Sequence, residues 1–69
     1  MTIGQIIKKE REKRRLMQDT LANKIGTSKA SIENWEKGKS YPSLINAICL
    51  SDVFEISLDE LVGRNRKGN

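Results

Sequence analysis

The side chains best suited to chemistry lie between Gln18 and Lys37, in QDTLANKIGTSKASIENWEK. At helical spacing, Ala30, Glu33, Asn34 and Lys37 fall on one side of a short segment, and Ser28, Ile32, Trp35 and Glu36 fall on the other. Ile32 and Trp35 are large enough to anchor that segment on a core, so the first set must face outward. Small, amide and cationic side chains on an outward helix suit the edges of base pairs in a major groove. The preceding stretch is a second short amphipathic segment that ends at Gly26. Two such segments joined by a glycine-containing turn have the sequence form of a helix-turn-helix, which makes duplex DNA the expected ligand.

Other chemistries find little support. There is no histidine, and the single cysteine, Cys49, lies in an apolar stretch with no adjacent base. No paired carboxylates or phosphate-cradling loop stand out, so an enzyme is not expected. Zinc fingers and redox pairs are likewise excluded, and neither a metal, a cofactor nor a small-molecule ligand is expected. The net charge is +4, from 13 basic and 9 acidic residues. That excess favours polyanions, but many small proteins share it. Apolar stretches such as AICL are far shorter than a membrane span, and the start MTIGQIIKKE lacks a signal-peptide core. The expectation is a soluble, unprocessed cytoplasmic protein with no membrane partner.

Five helices are needed to position these residues. The first carries Ile3, Ile6 and Ile7, then Glu10, Arg11 and Arg14, apolar early and charged late. Leu16 and Met17 link it to the second, which turns Leu21, Ala22 and Ile25 inward. Ser28 is placed to cap the third helix, which ends near Gly38. Pro42 and Ser43 suit the start of the fourth, with Leu44, Ala47, Ile48, Leu50 and Phe54 as core and Ile45, Cys49 and Val53 left over. Ser57 and Glu60 form a capping-box pattern that opens a short fifth helix with Leu58, Leu61 and Val62, closed by Gly63. Residues 1–63 are expected to be one domain, near the size at which a single core suffices. The basic tail at 64–69 is expected to be disordered.

Arg11 shares a stripe with Ile3 and Ile7, and Glu36 shares a face with Ile32. Each is partly directed inward and needs a partner. A bidentate pair between the first and third helices would satisfy both and fix the angle of the third helix. The alternative is that both side chains snorkel to water.

The chain resembles the Cro/CI-type (XRE) helix-turn-helix domains of phage repressors and bacterial regulators. The resemblance runs from about Ile3 to Val62 and is densest in LANKIGTSKASIENWEKGKSYPSL, with SLDEL at 57 to 61 matching the usual last helix. It implies an all-α, compact five-helix bundle of the lambda-repressor-like type, in which helices two and three form the DNA-binding unit. Members usually act as homodimers on palindromic operators. Arg11 and Glu36 occupy the positions of the family's inter-helix ion pair.

Carried over residue by residue, the resemblance implies an interface. Ser28, Lys29, Ala30 and Asn34 are expected to read bases: lysine donates to guanine O6 and N7, alanine packs on a thymine methyl, and asparagine pairs with adenine N6 and N7. Gln18, Ser31, Lys37, Lys39 and Ser40 are expected at the DNA backbone, with Gln18 also bracing the recognition helix. Glu33 lies beside this face as a solvated charge or a cytosine acceptor. Three positions depart from the pattern. Met17 replaces a capping Ser or Thr, and Glu55 replaces a glycine. Ile45 and Cys49 stand where polar residues are common, and with Leu58 they are candidates for a dimer contact, ordinary core packing being the alternative. The expected function is a sequence-specific transcriptional regulator, a repressor first, with no segment spare to sense a ligand. The alternative is an antitoxin or protein-interaction module built on the same fold.

Overall fold

The computed structural model describes residues 1–64. Five α-helices follow in order: α1 (Ile3–Lys13), α2 (Gln18–Ile25), α3 (Lys29–Lys37), α4 (Leu44–Phe54) and α5 (Leu58–Leu61). The helices and their order agree with the sequence reading, as does the lambda-repressor-like bundle. Among the described residues, no helix is long and apolar enough to cross a membrane. Apart from Arg64, the tail expected to be disordered lies outside the described residues.

Local chemistry sets the helix starts. The hydroxyls of Ser28, Ser43 and Ser57 accept from the amides of Ser31, Asn46 and Glu60. Thr2 and Gln5 form a reciprocal capping box at α1, and Ser57 and Glu60 form another at α5. Hydrogen bonds from Ser57 hold the exposed Glu60 carboxyl below its ordinary pKa. Met17 opens α2 without any side-chain cap, leaving Asp19 in the first turn to complement the helix dipole. Glu55 adopts the left-handed conformation itself, with φ 57°. A glutamate there costs about 1–2 kcal/mol relative to an ordinary helical conformation.

Each helix contributes to one core: Ile7, Leu21, Ile32, Leu50, Phe54 and Leu61 are almost fully enclosed. The outer helices depart from the sequence reading. Leu44 and Ile48, expected in the core, are 69% and 39% exposed. Ala47, Leu50 and Phe54 are buried as expected, and Ser51 completes the inward stripe of α4. Ser51 tolerates that place because its hydroxyl donates to the Ile48 carbonyl at 2.8 Å. Cys49 and Val53, expected to be left over, pack half-buried against the core. In α5 only Leu61 is buried, while Leu58 and Val62 face outward.

The start of α1 lies very close to the end of α3. A Cβ on Gly4 would overlap the Trp35 carbonyl oxygen and press on that of Glu36. Glycine thus lets α1 lie directly against the backbone of α3. Gly4→Ala should therefore destabilise the domain by about 1–3 kcal/mol, as overpacking does. Denaturant unfolding measures it, and an unchanged midpoint would mean that α1 shifts freely.

Candidate nucleic-acid interface

Three helices meet at one carboxylate. Arg11 of α1 donates to Glu36 of α3 through Nε to Oε2 at 2.7 Å and through Nη2 to Oε1 at 3.2 Å. Gln18, the first residue of α2, donates from Nε2 to the same Oε1 at 3.1 Å. The Glu36 side chain is only 5% exposed, so its charge is neutralised by geometry rather than by water. Arg11 also donates from Nη1 to the Leu16 carbonyl at 2.7 Å, which holds the α1–α2 link in place. Hydrogen bonding to Glu36 raises the guanidinium pKa against the opposing effect of burial, so the ion pair persists. Neither side chain snorkels.

With Ile32 and Trp35 buried and Glu36 held, the rest of α3 faces out. Lys29, Ala30, Asn34 and Lys37 are exposed, and Ser31 and Glu33 are half-buried. Gly38 ends the helix in the left-handed conformation, beyond which Lys39 and Ser40 are exposed. Ser28 is exposed, but its hydroxyl already accepts from the Ser31 amide and lies 3.1 Å from the Ser31 hydroxyl. Both serines are thus engaged in starting the helix. Gln18 is likewise engaged with Glu36, leaving its second amide proton and its carbonyl oxygen for other partners. Among the dimer-contact candidates, Ile45 is 69% and Leu58 40% exposed, whereas Cys49 is partly packed on the core.

A groove beside α3 includes residues that the sequence reading did not single out. Lys8 and Glu12 of α1 line it together with Gln18, Asp19, Lys29, Glu33 and Lys37. The signal for Lys8 was present, since it precedes Arg11 by one helical turn. A second polar network escaped entirely. Buried Glu10 receives Arg14 Nη1 at 2.5 Å, while Arg14 Nη2 donates to the Phe54 carbonyl and the guanidinium lies 5.1 Å from the Phe54 ring centroid. It ties α1 to the end of α4, behind the interface. The spacing of Glu10 and Arg14 on a helix could have revealed the pair but not the Phe54 contact.

A bundle that clamps α2 and α3 at a fixed angle, with one polar face of α3 exposed, is a helix-turn-helix domain of the phage-repressor class. The chain belongs to the Cro/CI-type helix-turn-helix family, whose profile matches residues 7–61. It is 32% identical over 62 residues to the HTH-type transcriptional activator BcrR of Enterococcus faecalis, covering 90% of this chain and 30% of that protein. It is 34% identical over 64 residues to the cryptic phage CTXphi transcriptional repressor RstR of Vibrio cholerae serotype O1, covering 93% of this chain and 57% of the relative. The chain thus spans about a third and just over half of those two proteins. The crystal structure of the P22 c2 repressor in complex with a synthetic operator superposes with a TM-score of 0.86 at 29% identity, over 100% of this chain and 98% of that one.

Removing Glu36 would strand the Arg11 guanidinium in a partly buried site. Glu36→Ala should cost about 3–5 kcal/mol, and replacing Arg11 and Glu36 together with apolar residues of similar volume should restore much of the loss. Thermal or denaturant melts of the single and double variants test the coupling. Small, additive effects would mean that the pair contributes no more than two solvated charges.

Proposed function

We propose that the protein is a sequence-specific transcriptional repressor that reads the major groove of double-stranded DNA with α3. The observation that carries this reading is the outward face of α3, polar and cationic, on a helix whose other face is fixed by Ile32, Trp35 and the Glu36 network. Lys29, Ala30 and Asn34 read bases, and Ser28 serves mainly to start the helix and secondarily as a contact. Gln18, Ser31, Lys37, Lys39 and Ser40 hold the sugar-phosphate backbone and set the register. Repression requires only that the operator be occupied, which bundles of this kind accomplish without catalysis. RstR and the P22 c2 protein carry the name repressor, while BcrR is named an activator. This function requires a cytoplasmic protein with access to DNA, and it needs neither catalysis nor a cofactor.

One bundle covers one half-site. Two copies on a palindrome place their recognition helices one DNA turn, about 34 Å, apart and require a two-fold contact. Ile45 and Leu58 supply exposed apolar area for that contact, extended by Leu44, Ile48 and Val62. Cys49 contributes only at its edge.

Lys29→Ala or Asn34→Ala should each cost about 1–3 kcal/mol on the preferred site and relax preference at one or two positions. Removing Lys37 or Lys39 should instead weaken all sequences alike and flatten the salt dependence by about one unit of log slope. Site selection from random duplexes followed by salt titration separates the two classes. Equal losses on specific and scrambled duplexes would assign Lys29 and Asn34 to phosphate contact.

Ile45→Asp or Leu58→Asp should abolish cooperative binding to a palindrome and leave half-site binding largely intact. Sedimentation and binding on full and half operators measure this. Retained cooperativity in both variants would move the dimer contact elsewhere.

A further inference from the structure

The groove beside α3 does not carry the positive charge of the chain as a whole. Arg11 and Glu36 cancel within their own hydrogen bonds, leaving Lys8, Lys29 and Lys37 against Glu12, Asp19 and Glu33. The groove along one flank of α3 is thus locally neutral, although the chain is at +4 and the outward face of α3 itself is cationic. Two of these acids have evident duties. Asp19 lies in the first turn of α2, and Glu12 lies 4.0 Å from the Arg11 guanidinium. Glu33 has none. It is half-buried between Lys29 and Lys37 at four-residue spacing, yet among the described residues it is in no ion pair or side-chain hydrogen bond.

We infer that Glu33 determines specificity by exclusion, an inference that rests on the DNA-binding reading above. A carboxylate beside the base-reading face accepts hydrogen bonds and cannot donate them. It is compensated only where the groove presents an exocyclic amine, cytosine N4 or adenine N6. Opposite guanine O6 or thymine O4, or opposite phosphate in a loosely docked complex, it meets lone pairs and like charge. Glu33 therefore lowers binding to most sequences while leaving the proper site unaffected. A neutral groove makes that discrimination effective, because surplus lysines would otherwise bind any duplex.

The test compares wild type, Glu33→Gln and Glu33→Asp on the duplex selected by the wild type and on a scrambled duplex, at fixed salt. Folding of each variant is checked by its thermal midpoint. Glu33→Gln should tighten scrambled DNA about 3- to 10-fold, as expected for removing one screened like-charge contact. It should leave the selected duplex within about 2-fold, and site selection with this variant should lose an amine-bearing base at one position. Glu33→Asp, which keeps the charge on a shorter arm, should still reject scrambled DNA. Equal tightening on both duplexes, or no change on either, overturns the inference while leaving the DNA-binding reading intact. A wild type that selects no sequence overturns both.

Discussion

The Glu36 carboxylate is where the architecture and the interface depend on each other. It projects from α3 into a nearly closed junction and accepts from Arg11 of α1 and Gln18 of α2. A charge at such depth is tolerable only when its donors are already in place, so the pair specifies an angle as much as it supplies energy. The same bonds that satisfy Glu36 hold the exposed side of α3 at a set inclination, and they draw the first residue of α2 against it. Arg11 also grips the Leu16 carbonyl, so the link between α1 and α2 is fixed by the same guanidinium.

Around that junction, the packing leaves α1 little room to move. Gly4 brings its backbone onto the last turn of α3, and Arg14 ties its far end to the carbonyl and ring of Phe54. The first helix is thereby fastened at the recognition helix and at the hydrophobic core. Buried Glu10 completes the second tie by accepting from Arg14. Two charged networks on one helix thus divide the labour, one joining α1 to α2 and α3 and one joining it to the end of α4.

On the proposed DNA-binding reading, the distribution of charge favours selective over adhesive binding. Lys39, beyond the end of α3, stands outside the groove, while the cations that line the groove, Lys37 among them, are balanced by acids. Attraction that depends on counterion release acts on every duplex, so specificity improves when it is kept from the reading surface. The α4 and α5 face differs again, since its exposed aliphatic side chains have no polar reason to meet nucleic acid.

The sequence alone determined the helices, their order, the serine caps and the outward face of α3, because these follow from spacing within one segment. Helical periodicity also placed Arg11 and Glu36 inward, and two inward charges of opposite sign imply a pair. Tertiary structure decided what periodicity leaves open on an apolar helix. With hydrophobic residues on most sides of α4, the sequence named Ala47, Leu50 and Phe54 as core but could not set the edge of the buried stripe, and packing left Leu44 and Ile48 outside it. The contact between Arg14 and Phe54, separated by forty positions, depends on how α1 crosses α4 and has no local signature. Gly4 carried the same limit. A glycine inside a helix reads as a weakness until the neighbouring backbone is seen to occupy the place of its missing side chain.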